Sequence, residues 1–188
     1  MSTILLPYTH GCFVCGADNP HGLHLKFHAE EGGGIRTDFH TDMRHEGYRG
    51  IIHGGVIASA LDESMFWAAS YVSRQLYMSV QLEVRYQKKV EVGKGYLLLA
   101  RVAKSQQRMC FTAAELRAAD GEVCATATGK FFPVRRDQVP LRHGDFYPDP
   151  QALSPSEFFG EGWGLPDATN QGMVARNESD YSSHETRV

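Results

Sequence analysis

The sequence has no long hydrophobic segment near its start and no excess of basic residues. Between Met1 and His10 the longest apolar run is Ile4-Leu5-Leu6, which Pro7 follows directly, and a signal-peptide core or a membrane span needs a longer run. Lys and Arg number 19 against 22 Asp and Glu, giving a net charge of -3, so no basic footprint for nucleic acid is present. We therefore expect a soluble, cytoplasmic protein that binds neither nucleic acid nor a membrane.

Cysteine is scarce, with four in 188 residues, and the pattern does not indicate disulfides. Cys110 and Cys124 lie in two strand-like runs that Asp120-Gly121 joins as a short hairpin turn. A turn there places Cys110 opposite Phe131 and Cys124 opposite Arg117. The two sulfurs would then not face each other, so we predict free thiols.

The other two cysteines, Cys12 and Cys15, form a C-x2-C pair with His10, His21 and His24 nearby. A structural zinc site usually takes four ligands in two matched halves, and no second C-x2-C follows in the sequence. We expect a turn with reduced thiols and predict no metal and no cofactor, with zinc as the alternative that the sequence leaves open.

Internal repeats and low-complexity blocks are also absent, and the length fits one globular domain with an extension. Apolar periodicity stops after Pro133, and five of the eight prolines lie from Pro140 onward. We predict a domain over residues 1–136 and an irregular extension over 137–188. The aromatic cluster at 158–163 is expected to dock on the domain or on a neighbouring subunit, because a disordered tail rarely carries so many rings.

Alternating apolar and polar residues predict strands on both sides of one helix. The connections between strands are short enough for antiparallel pairing, so we expect one curved sheet wrapped around the helix, an α+β fold. The run 78–87 is expected to pack one face on the core, and the run 96–103 to be buried on both faces. The predicted strands are 23–28 and 35–39 as a hairpin, then 78–87, 96–103, 109–118 and 122–132 as a meander.

The helix at 56–67 is apolar on nearly every side, except for the cluster Asp62, Glu63 and Ser64. Carboxylates are almost never buried without a partner, so these two indicate either a wet cleft or chemistry. Gly54-Gly55 lies directly ahead of the helix, where free N–H groups and the helix dipole suit a developing oxyanion. Free N–H groups at the start of the helix and a carboxylate two turns further along it together indicate an acyl-transfer site.

The motifs around this helix resemble the hotdog-fold acyl-CoA thioesterase superfamily, most of all its phenylacetate-pathway and mammalian thioesterase-superfamily-member type. The resemblance covers roughly residues 10–133. It rests on Cys12-Phe13-Val14-Cys15-Gly16, Asn19-Pro20, Gly22-Leu23, His45-Glu46-Gly47, Gly50 and His53-Gly54-Gly55, with Asp62 nine residues after His53.

This resemblance implies a hotdog fold, an acyl-CoA substrate, and a homodimer or tetramer with active sites at the dimer interface. By position, Asp62 would be the general base or the nucleophile, and the Gly54 N–H would polarise the thioester carbonyl. His53 would position the loop or the substrate. Ser79 matches the place where relatives put a Thr or Ser near the attacking water.

For a second group of residues, the resemblance implies a role in substrate binding and not in catalysis. Many relatives have Asn or Gln six residues before the motif histidine, where this chain has Gly47 beside Glu46. The expected substrate-binding residues are Gly55, Glu46 and Tyr48, with Lys88 and Lys89 toward the phosphates of coenzyme A.

Several alternatives stay open from the sequence. Asp62 would be structural if it paired with Arg85 or Arg49 in an interface network. A separate alternative for His53 is that its ring only bonds the backbone and holds the turn. Glu63 lies about 100° around the helix from Asp62, so the two are not expected to face one substrate. We expect Glu63 to be an interface or capping partner. The predicted function is acyl-CoA thioester hydrolysis; the alternatives are a non-catalytic acyl-CoA binding module and, ranked lower, a hydratase or dehydratase.

Overall fold

The computed structural model describes residues 3–106, 108–135, 138 and 141–161. Within these residues no helix is both long enough and apolar enough to cross a membrane. The elements are β1 (Ile4–Leu5), β2 (His28–Ala29), β3 (Ile35–His40), β4 (Glu46–Tyr48), β5 (Ile51–Ile52), α1 (Gly54–Ser73), β6 (Tyr77–Tyr86), β7 (Gly95–Gln106), β8 (Met109–Ala118), β9 (Val123–Pro133) and α2 (Pro155–Phe159).

Seven strands form one antiparallel sheet in the order β1-β2-β3-β7-β8-β9-β6, and β4 pairs with β5 separately. Helix α1 packs across the sheet against β3, β6, β7, β8 and β9. The predicted wrapped sheet is confirmed, but the meander is wrong in one connection. β6 does not lie beside β7; it pairs with β9 at the edge of the sheet.

The predicted strand at 23–28 is mostly wrong. Only His28–Ala29 pairs with β3, because the preceding residues hydrogen-bond to the N-terminal loop instead. The Leu25 N–H donates to the Val14 carbonyl at 2.9 Å, and the Phe27 carbonyl accepts from Leu6 at 2.9 Å. Leu25 and Phe27 are buried as the alternation predicts. Their main chain, however, hydrogen-bonds to a loop and not to a neighbouring strand.

The prediction that the apolar face of β6 packs on the core is also wrong for a single chain, because most of that face is exposed. Met78 is 60% exposed, Val80 58% and Leu82 37%. The strand is bulged between Ser79 and Gln81. An exposed, apolar edge strand of this length is a surface on which another strand can pair.

Two further details of the sheet differ from prediction. The first half of β7 is buried on one face and half-buried on the other, but from Arg101 onward most residues are exposed. Cys110 faces Phe131 as predicted, whereas Arg117 pairs with Val123 because a bulge precedes it, so Cys124 is displaced. All four cysteines are free thiols, as predicted.

Helix α1 is longer than predicted and includes both glycines in its first turn. His53 caps it: the ring Nδ1 accepts a hydrogen bond from the Gly55 N–H at 2.9 Å. It ends at Ser73 because Arg74 adopts a left-handed conformation with φ 56° and donates its N–H to the Ser70 carbonyl. Most of its residues from Ile57 to Ser70 are buried or half-buried.

The chain after β9 packs back on this core. Phe158 and Phe159 are 1% and 5% exposed, and the Phe158 ring meets the Trp67 ring edge-on at 5.4 Å. The predicted docking of aromatic rings is therefore confirmed for these two residues, while Trp163 lies outside the described residues. Helix α2, whose N-cap is Ser154, was not predicted from the sequence.

Candidate functional site

A cavity of about 400 Å³ lies beside the middle of α1, within the size range of small-molecule sites. Asp62 and Glu63 both line it, although their side chains leave the helix about 100° apart. The cavity is wide enough to meet two adjacent positions of the helix. Its other walls come from the N-terminal loop, the start of β6, β9 and the segment after β9, with mostly apolar and aromatic side chains: Phe66, Trp67, Leu76, Tyr77, Met78, Phe131, Leu141, Phe146 and Phe159.

Asp62 is half-buried and has one carboxylate oxygen, Oδ1, buried without a hydrogen-bond partner. Burial raises the pKa of Asp62, and hydrogen bonding from Ser79 offsets part of that shift. No ion pair to Asp62 occurs within the described part of the chain, and Arg85 lies 4.0 Å from Glu83 instead. Within one chain, no arginine of the described residues neutralises Asp62.

Ser79 is brought next to Asp62 because β6 begins just after the turn that follows α1. A second cavity of about 340 Å³ is lined by both Asp62 and Ser79, together with Val80 and Leu82 of the exposed strand. Asp62 therefore faces an apolar cavity on one side and the open edge of β6 on the other. A carboxylate placed in this way can meet both a substrate and the water that attacks it.

The start of α1 is a separate part of the candidate site. The Gly55 N–H is taken by the His53 ring, whereas the N–H of Gly54, the first helical residue, has no partner within the helix. The Tyr86 hydroxyl donates to the Gly54 carbonyl at 2.8 Å. His53 thus caps the helix and sets the turn, and among the residues that the structure describes the Gly54 N–H remains available as a donor.

Asp62 and Gly54 do not meet in one chain. They are eight residues apart on one helix, which is about 12 Å along its axis, and Gly54 lines neither cavity beside Asp62. An oxyanion donor must lie about 3 Å from the reacting oxygen. Within one chain, the two predicted halves of the site therefore lie apart.

Two predicted substrate-binding residues lie near the start of α1 rather than in the cavity. Glu46 accepts a hydrogen bond from the Gly50 N–H at 3.0 Å, and Tyr48 is 82% exposed. Between them, Gly47 packs so closely on the following loop that a Cβ there would lie 2.9 Å from the His53 Cα. Glycine at this position, where the resemblance leads one to expect Asn or Gln, thus goes with tight packing on His53.

The two lysines predicted to contact coenzyme A follow the C-terminal end of β6. Lys88 forms an ion pair with Glu122 at 3.0 Å, and Lys89 forms one with Glu91 at 2.5 Å. Both lysines are well exposed. The structure does not bring them to the cavity beside Asp62.

Sequence reasoning missed the other wall of this cavity, where Cys12, Cys15 and Glu63 meet. Cys12 Sγ and Glu63 Oε2 share a hydrogen bond at 3.1 Å. The Cys15 thiol hydrogen-bonds the Cys12 sulfur and lowers the pKa of Cys12 to about 5, and the same bond raises the pKa of Cys15. Burial raises the pKa of Glu63. The C-x2-C pair was visible in the sequence, but its partner 51 positions away was not.

Comparison with known proteins assigns the family. The sequence model of the thioesterase superfamily matches residues 49–125. An uncharacterised protein of Schizosaccharomyces pombe is 30% identical over 122 residues, which cover 62% of this chain and 69% of that protein. The chain belongs to the thioesterase superfamily.

Solved structures agree with this assignment and show the hotdog fold. The thioesterase superfamily protein RHA08564 matches with a TM-score of 0.61 and 27% identity over 66% of this chain, and the chain spans 60% of that protein's length. The Streptococcus mutans protein smu.793, solved bound to acetyl-CoA, matches with a TM-score of 0.54 and 18% identity over 58% of this chain and 88% of that one.

Proposed function

We propose that this protein hydrolyses an acyl-CoA thioester to a free acid and coenzyme A. The observation that carries the proposal is Asp62, a carboxylate with a raised pKa and an unpartnered oxygen at the wall of an apolar cavity. A carboxylate whose charged form is disfavoured by burial, and which no ion pair neutralises, is a candidate for a functional role. The family assignment and the acetyl-CoA bound by the smu.793 protein support the substrate class.

In the proposed reaction the acyl group lies in the cavity and the thioester carbonyl lies over Asp62. Acting as general base, Asp62 takes a proton from water, and the oxygen of that water attacks the carbonyl carbon. The C–S bond then breaks, and the coenzyme A thiolate leaves and takes up a proton. Direct attack by the Asp62 carboxylate gives an anhydride that water cleaves to the same products. Ser79 helps to position the attacking water in the first route.

The oxyanion formed in this reaction needs a donor that one chain does not supply beside Asp62. We propose that a second copy supplies it, through the N–H of its Gly54. The exposed edge of β6 is the surface for this pairing, because its main-chain groups face outward and its side chains Met78, Val80 and Leu82 are exposed. A homodimer formed edge to edge removes this apolar strand from water.

The proposal is tested by incubating the full chain with a panel of aliphatic and aromatic acyl-CoAs and measuring free coenzyme A by chromatography. Chromatography is preferred to a thiol reagent because Cys12 would itself react. We expect turnover of at least one acyl-CoA, abolished in Asp62→Asn. Tight binding of intact acyl-CoA for hours without release of coenzyme A would instead establish a binding module and contradict the enzymatic proposal.

A further inference from the structure

The wall of the cavity opposite the apolar rings brings together three side chains that metals favour. The sulfurs of Cys12 and Cys15 and a carboxylate oxygen of Glu63 all lie within 4.8 Å of one another. In a tetrahedral zinc site with sulfur and oxygen ligands, neighbouring ligand atoms lie about 3.6–3.8 Å apart. The observed cluster spans that spacing, so small side-chain movements suffice to place all three around one ion.

The loop that carries the two cysteines is built around the Cys12 sulfur. The Val14 N–H donates to Cys12 Sγ at 3.3 Å, and the Gly16 N–H donates to the Cys12 carbonyl at 2.9 Å. A Cβ at Gly16 would lie 2.3 Å from that carbonyl oxygen, so only glycine fits. An N–H aimed at a sulfur stabilises its thiolate form, which is the form that binds metal.

Most of this cluster is shielded from water. Cys15 is 2% exposed, and Cys12 and Glu63 are half-buried, yet no Lys or Arg forms an ion pair with Glu63 within the described residues. One helical turn on, Trp67 lines the same cavity and its indole faces Glu63. Buried acidic groups are normally paired or bound to a metal, and neither the indole nor the thiols carry a positive charge.

We propose that Cys12, Cys15 and Glu63 bind one thiophilic divalent cation of the zinc type, with a fourth position open to the cavity. The sequence predicted no metal because no second C-x2-C follows the first. The fold supplies the missing ligand from α1 instead. Three protein ligands with one open position are the arrangement of zinc sites that remain accessible to a small molecule. This site does not depend on the proposed hydrolysis and is tested without it.

The experiment uses the full chain, stripped of metal with a chelator under reducing conditions. Zinc chloride is titrated in competition with a chromophoric chelator, and cobalt chloride is titrated in parallel. We expect one zinc per chain with a dissociation constant below about 1 μM, and a cobalt complex with sulfur-to-cobalt charge transfer and intense tetrahedral visible bands. Binding releases protons from the thiols, which a weakly buffered indicator detects.

Variants locate the site. Cys12→Ser, Cys15→Ser and Glu63→Gln are each expected to weaken zinc binding by at least tenfold, whereas Cys124→Ser, which changes an equally buried thiol elsewhere, is expected to bind as the unmodified chain does. Alkylation of the unmodified chain gives a measurement that needs no variant: bound zinc is expected to protect Cys12 from iodoacetamide. Substoichiometric binding, a pale octahedral cobalt spectrum, or equal affinity in Cys12→Ser would overturn the proposal.

Discussion

Replacing Asp62 with asparagine separates the chemical role of this side chain from its structural one. Asparagine has nearly the same shape but cannot accept a proton from water or act as the nucleophile. General acid–base catalysis typically contributes about 10²–10⁴-fold to rate, which corresponds to about 2.7–5.4 kcal/mol in the activation free energy. We therefore expect kcat for acyl-CoA hydrolysis to fall at least 100-fold in Asp62→Asn.

The same change is expected to leave the protein as stable as before, or more stable. The Asp62 Oδ1 atom is buried without a partner, and burial raises the pKa of this carboxyl, so the charged form is disfavoured in the folded protein. Removing the charge removes that cost. We expect the free energy of unfolding to stay level or rise by up to about 1 kcal/mol, which is a Tm increase of roughly 0–4 °C for a chain of this size.

The assay compares kcat by chromatographic measurement of coenzyme A with Tm by circular dichroism on the same preparation. Asp38→Asn is the matched control, because Asp38 is an exposed carboxylate on β3, and it should leave both quantities unchanged. A kcat within threefold of the original for Asp62→Asn would refute the catalytic role. A fall in Tm of several degrees would show instead that the charge is held by a stabilising interaction.

Four further outcomes follow from the fold. Gly54→Pro removes the N–H proposed to stabilise the oxyanion, at a helix position where proline is tolerated, so kcat should fall about 10²–10³-fold. Gly54→Ala keeps this N–H, and its kcat should fall far less. Val80→Lys buries an unpaired charge in the proposed interface and should raise the dimer dissociation constant by about 10²–10³-fold in sedimentation, while Val72→Lys, at a residue as exposed on α1, should not. Gly16→Ala forces a Cβ against the Cys12 carbonyl and should lower the free energy of unfolding by roughly 1–3 kcal/mol in urea titration, unlike Gly11→Ala, whose Cβ meets nothing within 4 Å. The Tyr8 hydroxyl lowers the pKa of Asp149 from 3.8, so the unmodified chain should have a higher free energy of unfolding than Asp149→Asn above pH 3.8, and this difference should vanish as the pH falls below it. A difference that persists in acid would exclude the carboxylate as its source.

The sequence predicted those parts of the fold that depend on residues close together in the chain. The alternation along β3 and the hairpin at Asp120-Gly121 are both present, as is the apolar helix around Asp62. These features depend on side-chain period and turn chemistry, which a short window of sequence contains.

The placement of β6 and the cysteine wall of the cavity depended on contacts between distant residues. The alternation along 78–87 shows that one face is apolar, but not whether a core or another subunit covers it. Likewise the contact of Cys12 with Glu63 depends on how the N-terminal loop crosses α1. The apolar and polar residues around Leu25 alternate with the period of a strand, although its main chain bonds to a loop.

The most direct test of this account asks whether Asp62 and Gly54 act across two copies of the chain. Asp62→Asn and Gly54→Pro chains are co-expressed with different tags, and the mixed dimer is purified through both. In a two-fold dimer with sites shared between copies, one of the two sites in the mixed dimer keeps both residues intact, so it should show about half the activity of the unmodified dimer, while each variant alone shows almost none. A mixed dimer as inactive as its parents would contradict the account.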